Sequence, residues 1–578
     1  MTVIIWCLLF FSIVTNHAAS TEITVVDTIQ PVDSVVYNEL NRQNDLFDNF
    51  RTRVSATITK DSIRAVNYTH LGDLVARTTI YMPLWQGSLG QRDGIDVMGV
   101  LPDMQVQSVN GRPIQSKIGK GMHPLQYDPR AIERLDIVTG SEAIGTMPTI
   151  GLVGLQVQSR QFDAAEPYTS MWFHQGAGDL VGGNVVFAQN VSSKVGLSAD
   201  IRRLGAKGLY KQTDFDAWNI HLQGKFHQSR SSTWLLSYDL ATIDADRWSG
   251  VVADPYGNAD PPENFEVRTI YPRDVYRRHD VALMNSLRFV DDTNLRIVTS
   301  LFVVGEAQRA DTLGLGGTRV GLTSTASYRT KAYDVRAGLL GMNSYGAVWG
   351  LVSANISSKL SIQGSARYDH GSGGSTGLGS SIRFADSVIA LKVDASRTTA
   401  LQSDSSAQLV YLQSFYGTSS MHVQAVLFHH SHASSGLASY GGLMEVTGRI
   451  GPVMLSGVLR VGTHNAPSNN RSILMGNVRA VYDTRLITSR LSVGTEFGVI
   501  SAGHIVQYDP LHVSYASLPM LSAPFQNNGI NLFANLEVGT ASIRASFENI
   551  LSTKWYTIAY LPALPRQLRL SIDWTFVD

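Results

Sequence analysis

The stretch LRLSIDWTF, Leu568 to Phe576, decides the fold of this 578-residue chain. A strand points successive side chains to opposite faces, so Leu568, Leu570, Ile572, Trp574 and Phe576 share one face and Arg569, Ser571, Asp573 and Thr575 the other. The same split recurs upstream. Ile389, Leu391, Val393 and Ala395 oppose Lys392, Asp394 and Ser396. Leu474, Val478 and Ala480 oppose Asn477, Arg479 and Asp483, and Ile543, Ala545 and Phe547 oppose Ser542, Arg544, Ser546 and Glu548. A charge keeps returning to the second face while the first stays apolar. A soluble sandwich would bury its apolar faces between two sheets, and its apolar runs look the same in one sequence. Strand number and turn asymmetry separate the two.

From Tyr168 onward the pattern predicts 22 strands. Alternate connections are tight, at Asn190–Ser193, Asp291–Thr293, Ser357–Ser358, Ala385–Ser387, Gly451–Pro452 and Gly539–Thr540. The others read as longer, at Asp246–Pro272, Thr463–Asn470, Ala502–Gly529 and Leu551–Pro565. Short turns on one side and long loops on the other mark a transmembrane barrel. A barrel of this size needs its lumen plugged. The expected fold is therefore an all-β membrane protein: a 22-stranded antiparallel barrel with a small α+β N-terminal plug inside it. The expected boundaries are 1–20 for a signal peptide, 21–50 for an N-terminal segment, 51–166 for the plug and 167–578 for the barrel. In the plug, Gln105–Val109, Ile132–Val138 and Leu152–Val157 read as strands, and Ser62–Arg77 as one or two helical turns broken near Gly72.

Composition agrees. Only 16% of residues are charged, 51 are glycine, and 47 basic residues balance 47 acidic ones. Neutrality argues against a nucleic-acid binder, which would show a basic patch. No apolar run after residue 20 reaches the roughly 18 residues of a helical span. Val3–Val14 is an apolar run and Ala18-Ala19-Ser20 a small-residue cleavage site, which together read as a secretory signal, though without Lys or Arg before the run. Cys7, the single cysteine, would leave with it, so no disulfide framework and no cysteine metal site is expected.

The N-terminal region carries VSATITKDSI (54–63), LGDLV (71–75), VQSVNGRPI (106–114) and DPRAIERLDIV (128–138) in that order. The chain end runs Glu548-Asn549-Ile550-Leu551 through Trp555-Tyr556 to the last strand. These segments resemble TonB-dependent outer-membrane receptors over essentially the whole mature chain. The plug departs from that pattern. Met98-Gly99 and Thr139-Gly140 stand where the family usually has Arg-Gly, and Val577-Asp578 follow the terminal aromatic.

The resemblance implies a bacterial outer-membrane protein, in contact with lipid, a TonB-type energy-coupling partner and a small-molecule or metal-chelate ligand. Glu22, Ile23, Thr24, Val25 and Val26 look like the TonB box. An extended β-branched segment in a flexible terminus can add a strand to a partner's sheet edge; a disordered tail with chance β-formers is the alternative. Ligands of such receptors sit on outward plug loops, here Met82–Arg92 and Ser116–Tyr127. Trp85 could stack on a flat ligand. Arg92, Lys117 and Lys120 could meet carboxylate or phosphate groups, Gln86 and Gln91 could hydrogen-bond, and His123 could ligate a metal or hydrogen-bond. Alternatively Trp85 packs on the wall and the cations pair with lumenal carboxylates. His430 and His432 share a face and are weak metal candidates; polar residues at a strand rim are the alternative. The oxygen-rich loop Asp254–Asp260 lacks calcium-loop spacing. No Walker or H-E-x-x-H motif occurs, so neither catalysis nor a cofactor is expected. Two readings of function remain: energised uptake of a scarce solute such as a siderophore or cobalamin, or a passive plugged channel or surface receptor that has lost coupling.

Overall fold

The computed structural model describes residues 56–577, apart from 115–121, 163–165, 211, 230, 252–266, 290–293, 311–312, 372–373, 402–404, 419, 434–436, 467–468, 487–488, 503–505, 510–513, 518–524, 554–555, 559–560 and 563. The signal segment and Glu22–Val26 lie outside the described residues, as do Lys117 and Lys120.

Twenty-two antiparallel strands close into a barrel, from Tyr168–Gly176 to Gln567–Val577. The last strand pairs with the first, Leu570 opposite Gln175 and Val577 opposite Tyr168. The faces fall as the alternation requires. Leu568 is 62% exposed on the outside, while Arg569 beside it is 0% exposed on the inside. Val393, Val478 and Phe547 also point outward. Large exposed apolar side chains recur on strand after strand. Water does not tolerate so continuous an apolar belt, whereas lipid does.

Two expected loops are shorter than the sequence suggests. Pairing of Val453–Ala466 with Asn469–Leu486 continues to Ala466 opposite Asn469, so only 467–468 connect them. Likewise Ser232–Val251 and Val267–Arg288 continue as strands through 246–251 and 267–272 of the expected 246–272 loop. Register shifts there leave Pro272, which has no N–H for the ladder, in an irregular step between Tyr271 and Asp274.

The plug begins with strand β1 (Ala56–Thr59) and helices α1 (Lys60–Ala65) and α2 (Leu71–Thr78). Strands β2 (Met82–Leu84) and β3 (Gly94–Asp96) form a hairpin. Next come β4 (Val106–Val109), β5 (Arg112–Pro113), β6 (Ile132–Thr139), helix α3 (Ser141–Thr146) and β7 (Val153–Ser159). The sheet order is β1-β6-β7-β4-β5, with β4 parallel to β7. The β4–β5 turn is Asn110-Gly111 with φ of 51° and 75°, the sign that tight hairpin turns demand. The helical break expected near Gly72 lies instead at Val66–His70. Gly72 sits inside α2 for a different reason: a Cβ there would stand 2.1 Å from the Asp93 carbonyl oxygen.

Candidate functional site

The loop expected to meet ligand is the tip of the β2–β3 hairpin, residues 85–93. Its shape is set by Asp93, whose Oδ1 accepts from Gln86 N at 2.7 Å and whose Oδ2 lies 3.4 Å from His70 Nε2. His70 caps α2 by accepting from Asp73 N through Nδ1 at 3.1 Å. Its other ring nitrogen is therefore the one that faces Asp93 with a proton. Burial pushes Asp93 up to about 8 and His70 down to about 4. The contact is thus one between a neutral imidazole and a carboxyl that titrates close to neutral pH.

The candidate residues divide. Gln86 is buried, and its Oε1 accepts from Arg92 N at 3.2 Å. Gln91 is buried and donates to the Asp246 carbonyl at 3.1 Å. Both shape the hairpin. His123 is buried too, stacked 6.4 Å from Tyr276, with Nδ1 accepting from Leu125 N. Trp85 is half-buried, packs on the plug core and borders a cavity of 420 Å³ between plug and barrel wall. Arg92 is half-buried at the hairpin's end. The structure therefore brings Trp85, Gln86, Gln91 and Arg92 together on one hairpin.

That hairpin is covered. The two long connections 503–524 and 549–566 contribute Val506–Asp509, Ser514–Ser517, Tyr556–Ile558 and Leu561–Pro562 to a four-stranded sheet of their own. Tyr556–Ile558 packs against β2, and Ile558 and Leu561 are buried. His430 and His432 do face inward together, as alternation requires. His430 lies beneath the plug turn Met98-Gly99, where a Cβ on Gly99 would stand 3.5 Å from the His430 Cβ. Among the described residues no group of three His, Cys, Asp or Glu side chains is arranged to hold a metal.

Sequence reading missed how tightly the plug is tied to the wall. Asp73 receives Arg569 Nη1 at 2.8 Å and Thr69 N at 2.9 Å. Burial alone would raise the Asp73 carboxyl, but Arg77 and Arg569 beside it hold it well below the usual carboxylate range. Arg77 forks onto Glu548 at 3.1 and 3.0 Å. Arg130 reaches Asp573 at 2.6 Å, and Arg112 pairs with Asp280. Asp394 accepts from Ser141 N at the start of α3. Arg460 donates to the carbonyls of Ile80 and Thr79 at 2.8 and 3.0 Å. The signal was present as isolated charges on inward strand faces. Their partners are hundreds of positions away, so pairing was not readable.

No family model matches the chain, and no curated protein matches it. Solved structures do. The FrpB iron transporter from Neisseria meningitidis (F3-3 variant) is similar at 10% identity over 91% of this chain and 100% of its own, with a TM-score of 0.68. The copper transporter OprC is similar at 8% identity over 91% and 99%, with a TM-score of 0.72. The siderophore receptor PirA from Acinetobacter baumannii is similar at 10% identity over 90% and 98%, with a TM-score of 0.66. At such identities what is shared is the fold, and this chain has the fold of TonB-dependent outer-membrane receptors: a 22-stranded barrel filled by an N-terminal plug.

Proposed function

We propose that the chain is an outer-membrane receptor that takes up a scarce, compact extracellular solute, such as a metal chelate, into the periplasm with energy from a TonB-type partner. The observation that carries this reading is the clasped plug. Buried ion pairs such as Asp73–Arg569, Arg77–Glu548 and Arg130–Asp573 tie it to the wall. A solute crosses only if such contacts yield, and breaking buried pairs is costly. An outside energy source meets that cost, which supports coupled uptake over a passive channel. The structural neighbours described as iron, copper and siderophore transporters or receptors support the solute class.

In this reading Trp85 and Arg92 on the hairpin tip, with Lys117, Lys120 and His123 from the neighbouring connection, meet the solute. Gln86 and Gln91 hold the tip in shape. Glu22–Val26 offers its main chain to the partner. Val25→Pro removes a main-chain donor and restricts Thr24. It should leave binding of the solute to intact cells unchanged while abolishing its import. Normal import by this variant would refute energised coupling, and loss of binding would make the segment structural.

A further inference from the structure

The 420 Å³ chamber beside Trp85 is lined by four arginines of the plug–wall seam, Arg77, Arg460, Arg479 and Arg544. Two of the four are firmly held. Arg77 is held by Asp73 and Glu548, and Arg460 by two plug carbonyls. The other two are held less fully. Arg479 lies 4.4 Å over the Phe533 ring, and its Nε has no hydrogen-bond partner. Glu496 stands opposite it in register but accepts from Asn477 at 2.9 Å, and no ion pair joins it to Arg479. Arg544 is 5% exposed and its Nε is likewise unpartnered. Its ion pair with Asp573 Oδ2 is long, 4.0 Å, and shared with Arg130, which holds Oδ1 at 2.6 Å.

A buried guanidinium whose hydrogen bonds are unmade is costly unless something completes them. The fork of an arginine matches the planar pair of oxygens on a carboxylate or phosphate. The chamber's volume is that of a small-molecule site, and Trp85 gives it an apolar wall. We infer that the chamber is an intermediate binding site for a compact solute bearing a carboxylate or related oxyanion, received by Arg479 and Arg544. Trp85 belongs both to the hairpin tip and to the chamber lining. A solute leaving the hairpin would thus enter the chamber without crossing the clasped parts of the seam. The role as a way station rests on the uptake reading; the binding does not. Glu445 also lines the chamber and makes no hydrogen bond or ion pair among the described residues. It would repel the oxyanion and so sets the sign of a control.

The test is calorimetric titration of the purified full-length protein in detergent, with citrate and with inorganic phosphate as probes and choline as the cationic control. Citrate should bind and choline should not. Phosphate binding beside citrate assigns the site to oxyanions in general, and citrate binding alone to carboxylates. The double variant Arg479→Gln, Arg544→Gln should bind citrate roughly tenfold or more weakly, the loss of about one charge-assisted pair. Glu445→Gln should bind it more tightly, an effect misfolding cannot imitate. Absence of citrate and phosphate binding to the unmodified protein, an unchanged affinity in the double variant, or weaker binding in Glu445→Gln would each overturn the proposal. If citrate binds as expected while Val25→Pro imports normally, the chamber stands and energised uptake falls. If import depends on Val25 but the chamber is silent, the reverse holds.

Discussion

Replacing Arg569 with methionine should release the plug without unfolding the barrel. Methionine keeps much of the stem's volume and removes the guanidinium. In the native cluster Arg569 and Arg77 face Asp73 and Glu548, two cations against two anions. Arg569 Nη1 lies 2.8 Å from Asp73 and Nε 3.5 Å from Glu548. Without it, Arg77 alone faces both carboxylates at a site where Arg569 is 0% and Asp73 4% exposed. Removing one partner of a buried pair costs about 3–5 kcal/mol. At roughly 1.4 kcal/mol per tenfold, the released-plug population should rise by about two to four orders of magnitude. The assay is conductance of the protein in a planar bilayer under rising urea, because a barrel whose plug has left its place conducts. Resistance of the unboiled barrel to detergent on a gel reports whether the wall is intact. The variant should conduct at clearly lower urea with the barrel intact. Arg203→Ala, which breaks an exposed pair with Asp216 on the outer face, should match the unmodified protein. Identical urea thresholds for Arg569→Met and the unmodified protein, with intact barrels in both, would refute the clasp.

Leu427 is 60% exposed midway along Met421–His432, and Val426 beside it is 0% exposed. Leu427→Arg places a charge against lipid at about 2–4 kcal/mol near the midplane and should lower the yield of folded barrel, whereas Leu427→Ala should not; equal yields would contradict the outward facing. Asp93 supplies a pH dependence. Folded, its carboxyl holds a proton up to about 8; unfolded, it releases it near 3.8. Between about 4 and 6.5 buried His70, neutral in the fold, offsets this, so stability of the hairpin latch should fall as pH rises from about 6.5 to about 8 and level off above. Asp93→Asn keeps an acceptor for Gln86 N and should flatten that dependence, read as protease resistance of the plug between pH 6 and 9. A slope in the variant equal to that of the unmodified protein would discount Asp93 as its source.

The barrel was legible because one physical rule writes it on every strand. Lipid demands an apolar outer face, and the pleat repeats that demand every second residue. Leu568 to Phe576 shows it without help from any other segment. The loops were less legible. A hairpin that rises past the membrane keeps its ladder without keeping an apolar face, so Thr463–Ala466 and Asn469–Asn470 read as loop although they pair. In the plug, Gly72 reads as a helix breaker, while its real constraint, the Asp93 carbonyl packed against it, lies twenty-one positions on.

The inner face was legible as polar but not as sealed. Ser571 reads as lumenal, and the natural inference is water; it is 1% exposed. The same holds for Arg569, whose carboxylate partner Asp73 is 496 positions away. Alternation reports which way a side chain points and is silent about what fills the space it points into. What fills it here is a plug whose ion pairs fix the end of α2 from two sides: Arg77 is drawn to Glu548, and the carbonyls of Thr79 and Ile80 to Arg460. Both anchors line the chamber that holds Arg479 and Arg544. An anion entering that chamber would compete for Arg460 and Arg77 with the groups that hold α2 in place. If the chamber takes an anion, its occupancy would be coupled through the same guanidiniums to loosening of α2, the helix that leads directly into the β2–β3 hairpin.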